Sequence, residues 1–470
     1  MRLKNLFAAK DMTHEAPWKC ILAFAWPMII GNFVQQLYNA ADSAVVGQYI
    51  GDSALAAVGS AAPVMTLLLA LFGGIATGAG VVISQFYGAK DRHGLSVAVG
   101  NCLTLSLIAS LILMVLGPLV TRPFLVFLNT PDHILDWCVE YLNIYFYGIV
   151  GFFLYNMLAG ILRGMGDSVS ALLFLIVSAV LNVALNLLFV VTLNMGVPGV
   201  SLATVLSQGI SAIFCWIKLA KMKDVFDMGL QYWKLDMSVA GRIIKIGLPA
   251  GLSQGIMASA AMMIQRLTNS LGETVITANV VVTRIDGFAM MPIMTFGQAI
   301  SVFTGQNVGA DRLDRVRQGI KQGLTMSVGM AIVMTALLLV VGRPLFRVFS
   351  ETEAVLEMAN WMIQILAFGY ICMSVTQVLN GIRRGAGDTV MPMWLTINQT
   401  VILRVVVAYT LAWFTKSEMN PNGHPLIIPV SLLISWSMGM LVNLIEFRFG
   451  RWKKKMEENA AIHRSRKEAA

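Results

Sequence analysis

Long apolar stretches follow one another along the chain, broken only by short polar turns. Each is near or above the roughly 20 residues that a helix needs to cross a bilayer. They predict twelve helical spans, at 20–46, 54–83, 96–118, 134–158, 168–192, 200–216, 245–271, 275–303, 319–341, 354–379, 390–414 and 426–447. Prolines and glycines lie inside many of them, which suits membrane helices that bend and pack closely. In a soluble helix each interior proline would cost about 3 kcal/mol. Composition agrees: 57% hydrophobic against 13% charged residues leaves too little polar material to coat a soluble globule of 470 residues. The expected class is an all-α integral membrane protein.

The net charge of +9 would suit a nucleic-acid binder, but its distribution argues for a membrane instead. Of the 34 lysines and arginines, only Arg122, Arg343, Arg347 and Lys416 fall on the side opposite the N-terminus, and only Arg266, Arg284 and Arg404 fall inside spans beyond the first turn, Lys245 and Lys321 lying at span starts on the N-terminal side. By the positive-inside rule both termini are expected in the cytoplasm of a multi-pass plasma (inner) membrane protein. The first apolar run has no small-residue cleavage site, so it reads as a retained span and not a signal peptide. The tail with Lys453, Lys454 and Lys455 reads as a solvated end facing lipid headgroups. Cys20, Cys102, Cys138, Cys215 and Cys372 are widely spaced, with no CxxC pair, and read as packing residues.

The chain is duplicated. QFYGA, with Gln85, Gly88 and Ala89, returns as QNVGA with Gln306, Gly309 and Ala310, 221 residues later. GILRGMGDS (160–168) returns as GIRRGAGDT (381–389) at the same offset, as does Arg122-Pro123 in Arg343-Pro344. Six spans separate equivalent points, so the halves enter the membrane in the same sense, as parallel repeats about an axis along its normal. The expected division is a six-helix lobe over 1–217, a polar linker over 218–242, a second six-helix lobe over 243–448 and a basic tail over 449–470.

The doubled RGxGD-type motif, the doubled QxxGA and the first-span residues Gln35, Gln36, Asp42 and Gly47 resemble the multidrug and toxic compound extrusion (MATE) family. The resemblance covers nearly all of the chain. It implies a V-shaped pair of six-helix lobes around a central cavity, exporting organic, often cationic, compounds in exchange for H⁺ or Na⁺. It also implies no cofactor beyond the coupling ion, a small-molecule substrate, the lipid bilayer as surroundings and a monomeric transporter. Matched position by position, Asp42, Asn182 and Thr204 correspond to the family's cation-site residues of the N-terminal lobe. Asn186 stands where many members carry aspartate. The absence of deep acids in spans seven and ten places the chain closer to the DinF-like branch than to the NorM-like one.

The residues themselves point to the same region. In span one Asn32, Gln35, Gln36, Asn39, Asp42 and Ser43 recur at intervals of three and four, which is one helical face. The amides alone suit hydrogen bonding between helices. A carboxylate inside a span is costly enough to be a functional candidate by default, so Asp42 is the candidate coupling residue, able to take a proton or Na⁺. Ser178, Asn182 and Asn186 in span five and Ser201, Thr204 and Gln208 in span six form further polar faces. Gln35, Asn39, Tyr155, Gln208, Arg284, Asp286 and Arg404 are the candidates for a substrate cavity. For the three charged residues among them a structural ion pair of Asp286 with Arg284 or Arg404 is the alternative. Glu446, two residues from Arg448, reads as interfacial. Met257, Met262, Met263, Met290, Met291 and Met294 suit either packing or an adaptable cavity, and Phe152, Phe153 and Tyr155 either packing or cation–π contacts.

No GxxxxGK[ST] loop, Ser/His/Asp cluster or HExxH motif points to an ATP-driven pump or an enzyme. GAKDRHG at 88–94 superficially resembles the basic loop of the major-facilitator transporters, yet that reading leaves the RGxGD pairs unexplained. A lipid-linked sugar flippase of the same superfamily is the other alternative; an Arg-lined cavity would favour it, where span one here offers an acid.

Overall fold

The structure, a computed structural model, describes residues 9–468 apart from 129 and 419. The two chain ends, with Arg2 and Lys4 of the basic side, lie outside the described residues. Among the described residues regular structure is entirely helical. In chain order the helices are α1 (Pro17–Tyr49), α2 (Asp52–Ala89), α3 (Arg92–Phe127), α4 (Asp132–Tyr147), α5 (Ile149–Gly164), α6 (Ser168–Asn186), α7 (Gly196–Ala220) and α8 (Met237–Asn269). They continue with α9 (Glu273–Gly309), α10 (Leu313–Arg347), α11 (Glu353–Gly385), α12 (Val390–Ile397), α13 (Arg404–Phe414), α14 (Ile427–Phe449) and α15 (Trp452–Glu468). A π-helical turn, Leu187–Thr192, prolongs α6, and another, Asn398–Leu403, joins α12 to α13.

Eleven spans pass the length and hydropathy expected of a membrane crossing, and α4 with α5 supplies a twelfth. All twelve expected spans are therefore present. They differ from expectation at their ends, where helices run one or two turns past the apolar window. α2, for example, continues through Gln85 to Ala89, because the polar QFYGA residues stay helical although they lie beyond the apolar stretch. The fourth span is bent by 56° at Gly148, where a side chain would run into Val205.

The repeated RGxGD motifs terminate α5 and α11. Gly166 and Gly387 adopt φ of 85° and 88°, a left-handed backbone that glycine takes without strain. Asp167 then caps α6 by accepting from the Ser170 amide (2.9 Å), and its other oxygen lies 3.8 Å from Lys218. Its repeat partner Asp388 instead meets Lys455 of α15 at 2.7 Å. Glu446 pairs at 2.6 Å with the fully buried Arg383, which also donates to Asn443 and Asn380. The linker folds back along α3, where Arg92 donates twice to Asp227 and holds that carboxyl below its ordinary value.

The chain divides into two compact units. The first comprises Trp26–Gly251 with residues 9–11; the second comprises Met12–Ala25 and Leu252 onward. Two helices are thus split between the units. α1 passes from the second to the first after Ala25, and α8 from the first to the second after Gly251. Each carries an interior proline within two residues of that point, Pro27 and Pro249.

Each unit has its own apolar interior, around Ile83, Phe86, Leu158 and Leu162 and around Leu142, Tyr145 and Phe153 in the first, and around Ile293, Leu356 and Tyr370 in the second. The outside is apolar too, with Leu119, Val180 and Val340 at 70%, 64% and 80% exposure, as a lipid-immersed surface requires. All five cysteines are buried and none forms a disulfide among the described residues, in keeping with a packing role. Phe152, Phe153 and Tyr155 are buried, as is Met290, whereas Met262 and Met263 join the apolar exterior.

Candidate functional site

In the first unit three helices deliver polar side chains to one place. On α6, Asn182 and Asn186 stand one turn apart, both fully buried, directly before the π turn. Such turns widen the helix and recur at functional sites. The two N–H bonds of the Asn186 amide go to different partners: one to Asp42 Oδ1 of α1 (2.7 Å), the other to Asn182 Oδ1 (3.0 Å). Asn182 in turn donates to Thr204 Oγ1 of α7 (3.2 Å), and that hydroxyl donates to the Val200 carbonyl (3.1 Å). The result is a chain of hydrogen bonds linking α1, α6 and α7 whose donors point outward from Asn186, to the Asp42 carboxylate on one side and through Asn182 to Thr204 and the Val200 carbonyl on the other.

Around this chain three buried oxygens lack hydrogen-bond partners among the described residues: Asn186 Oδ1, Gln208 Oε1 and the Tyr38 hydroxyl. Tyr38 is one turn before Asp42 on α1 and lies beside the Thr204, Ser207 and Gln208 side chains. Tyr141, on α4, completes the surroundings of Asp42. Buried polar atoms are nearly always paired, so such a group of open oxygens beside a carboxylate is suited to a proton, a small cation or water. Neither tyrosine was singled out by the sequence. The signal for Tyr38 was present in its spacing of four from Asp42; Tyr141 comes from a different helix and had none.

The structure brings Asp42, Asn182, Asn186 and Thr204 together, with Gln208 at their edge. It does not bring in the rest. The polar stripe of α1 splits: Tyr38 and Asp42 turn inward, while Gln36, Asn39 and Ser43 are exposed, and Gln35 donates only to Asn39 (3.3 Å). The stripe read as one face is therefore broader than the part that the unit encloses. Tyr155 packs in the core near Arg163 and Cys215, with Tyr38 in electrostatic reach. In the second unit Asp286 of α9 faces the buried Tyr370 of α11, with Arg404 beyond it at the end of the second π turn. Among the described residues no arginine lies within 4.0 Å of Asp286, so the direct ion pair weighed from the sequence is not formed; Asp286 Oδ1 and Arg404 Nε have no hydrogen-bond partner, and Arg284 is exposed. Among the described residues no group of three or more His, Cys, Asp or Glu could hold a metal ion. For Na⁺ the ligands at hand would be Asp42 and neutral oxygens.

Twelve apolar crossings, a duplicated all-helical architecture and an isolated carboxylate in a buried polar network define a polytopic membrane transporter. A family model for MatE matches twice, over residues 27–188 and 249–410, and the chain belongs to the MatE family. It is 28% identical over 447 residues to a probable multidrug resistance protein, YoeA of Bacillus subtilis, covering 93% of this chain and 95% of that one. It is 23% identical to the probable multidrug resistance protein NorM of Thermotoga maritima, covering 93% of each. A solved multidrug resistance MATE family transporter of the MOP superfamily in an outward-facing conformation shares the fold, with a TM-score of 0.86 over 94% of this chain and 98% of that one at 23% identity. So does a MOP superfamily transporter from Pyrococcus furiosus, with a TM-score of 0.85 at 24% identity over 95% of this chain and 98% of that one. The relatives do not single out the DinF-like branch.

Proposed function

We propose that this protein is a cation-coupled antiporter that exports small organic, cationic or amphiphilic molecules, with Asp42 taking up the coupling ion, H⁺ or Na⁺. It works as a monomer in the plasma membrane with both termini in the cytoplasm. The observation that carries this reading is the single carboxylate of α1 held by the Asn186 amide at 2.7 Å, at the end of the Asn182–Thr204 chain. Cation uptake there removes the one negative charge of the network and changes which hydrogen bonds it favours. That change drives export only because the substrate-loaded and empty states differ in cation affinity. Relatives named for multidrug resistance support the substrate class.

The test is export of a fluorescent organic cation from proteoliposomes under separately imposed H⁺ and Na⁺ gradients. Asp42→Asn is nearly isosteric, and its amide oxygen still accepts from Asn186, so the variant should fold and insert. Its gradient-driven export should fall to the level of empty liposomes. Export by Asp42→Asn at the unmutated rate would move coupling elsewhere, and Asp286 would be the first alternative.

A further inference from the structure

The repeated QxxGA motif is left unexplained by the Asp42 site, and both copies put their glutamine to the same use. Gln85 and Gln306 are fully buried at the ends of α2 and α9. Gln306 Oε1 accepts from the Met12 amide (2.9 Å), in the segment that leads into α1. Gln85 Oε1 accepts from the Arg242 guanidinium (2.8 Å), in the first turns of α8. α1 and α8 are the helices divided between the two units, and each is held by glutamine at the end that lies in the unit other than the one holding most of its own repeat.

The α1 attachment is the more elaborate. Arg315 of α10, 7% exposed, donates through Nε to Asn307 Oδ1 (3.0 Å) and through its two terminal nitrogens to the carbonyls of Met12 (3.2 Å), His14 (3.4 Å) and Glu15. Asn307 donates to the Met12 carbonyl (3.3 Å), and the Trp18 amide donates to Gln322 Oε1 (2.9 Å). All these residues belong to the second unit. The guanidinium is therefore satisfied by the Asn307 side-chain oxygen and by main-chain carbonyls of the segment before α1. Such a contact holds firmly while docked yet is replaceable by water when it parts.

We infer that Gln306, Asn307 and Arg315 are positioning residues that latch the start of α1, the helix that carries Asp42, to the second unit, that Gln85 and Arg242 form the matching latch on α8, and that the α1 latch parts during each transport cycle. The inference rests on the reading of Asp42 as the coupling residue, because only then does the state of the first unit have to be communicated along α1. A latch that must part differs from a permanent brace in one respect: fixing it covalently stops turnover.

The experiment uses the full chain with Met12→Cys and Asn307→Cys, whose residues are in contact, bridged by a short bifunctional thiosulfonate reagent. The native cysteines are all buried, and a background with them replaced by serine controls for their reaction. The expected result is at least a tenfold loss of export on bridging, restored by reducing agent, with each single variant exporting at the same rate before and after the reagent. Export by the bridged protein at the unbridged rate overturns the inference. Should the unbridged pair be inactive, Trp18→Cys with Gln322→Cys tests the same attachment. A readout independent of export is hydrogen exchange of the Met12 and Trp18 amides in lipid nanodiscs. Their protection should fall on titrating the coupling cation and be unresponsive in Asp42→Asn. Protection that does not respond in the unmutated protein overturns the latch, whereas absence of gradient-driven export with responsive protection counts against the antiport reading alone.

Discussion

At the scale of single residues, Asn186 decides what kind of site this is. Its amide spends both donors, on Asp42 and on Asn182, and leaves its oxygen open. Asn186→Asp replaces a donor with a second negative charge at 2.7 Å from the first, so the two carboxylates repel until a cation lies between them. Cation binding by the purified variant, titrated across pH and Na⁺ concentration, should be tighter than in the unmutated protein, at the expense of the Asn182 contact. Binding identical under all conditions would place the ion away from Asn186. Asp42 was legible because a carboxylate in an apolar span has few innocent explanations; spacings of three and four showed only that Asn182 and Thr204 lie on polar faces, and the family resemblance is what joined them to Asp42. The exposure of Asn39 was not legible. Periodicity defines a face of α1 but not how wide an arc of it the neighbouring helices cover.

Between helices, close packing and buried pairing each make a prediction. α2 and α8 cross through Gly74 and Gly78 on one side and Gly247 and Gly251 on the other, two small-xxx-small patterns set against each other. A Cβ on Gly78 would come within 2.6 Å of the Gly247 Cα, and one on Gly247 within 2.7 Å of the Ile75 Cα, so backbone must move to admit it. Gly78→Val or Gly247→Val should cost about 1–3 kcal/mol through overpacking, read as a lower melting temperature in detergent. Glu446→Gln leaves the Arg383 guanidinium, fully buried, with Asn380 and Asn443 and only the more distant charge of Asp388, which is itself paired with Lys455. Glu446 is itself partly exposed, which moderates the loss to up to about 3 kcal/mol. The melting temperature should fall while the choice between H⁺ and Na⁺ gradients stays unchanged; a changed ion preference would assign Glu446 to the coupling machinery. The spans themselves were readable because hydropathy reports immersion in lipid. The bend at Gly148 and the two π turns were not, since both depend on what packs against the helix and not on its own composition.

For the whole molecule, the basic residues and the helix count make a joint prediction about orientation. An even number of crossings returns the chain to the side from which it began, so one set of turns carries nearly all of the lysines and arginines and the other carries Arg122, Arg343, Arg347 and Lys416. Translocating the basic set is disfavoured during insertion, which predicts it in the cytoplasm together with both termini. Buried native cysteines make this measurable with single thiols added at exposed positions. Arg122 forms only a surface pair with Asp136 at 3.0 Å, and Lys454 only an i,i+4 contact with Glu458 at 3.9 Å, so replacing either should cost under about 1 kcal/mol. In intact cells a membrane-impermeant thiol reagent should label Arg122→Cys and spare Lys454→Cys, and permeabilising the cells should expose both. Labelling of Lys454→Cys in intact cells would invert the topology. An inverted chain would also present the docked start of α1 and the α15 helix to the outside, and an exporter reading would become an importer reading from the same Asp42 chemistry.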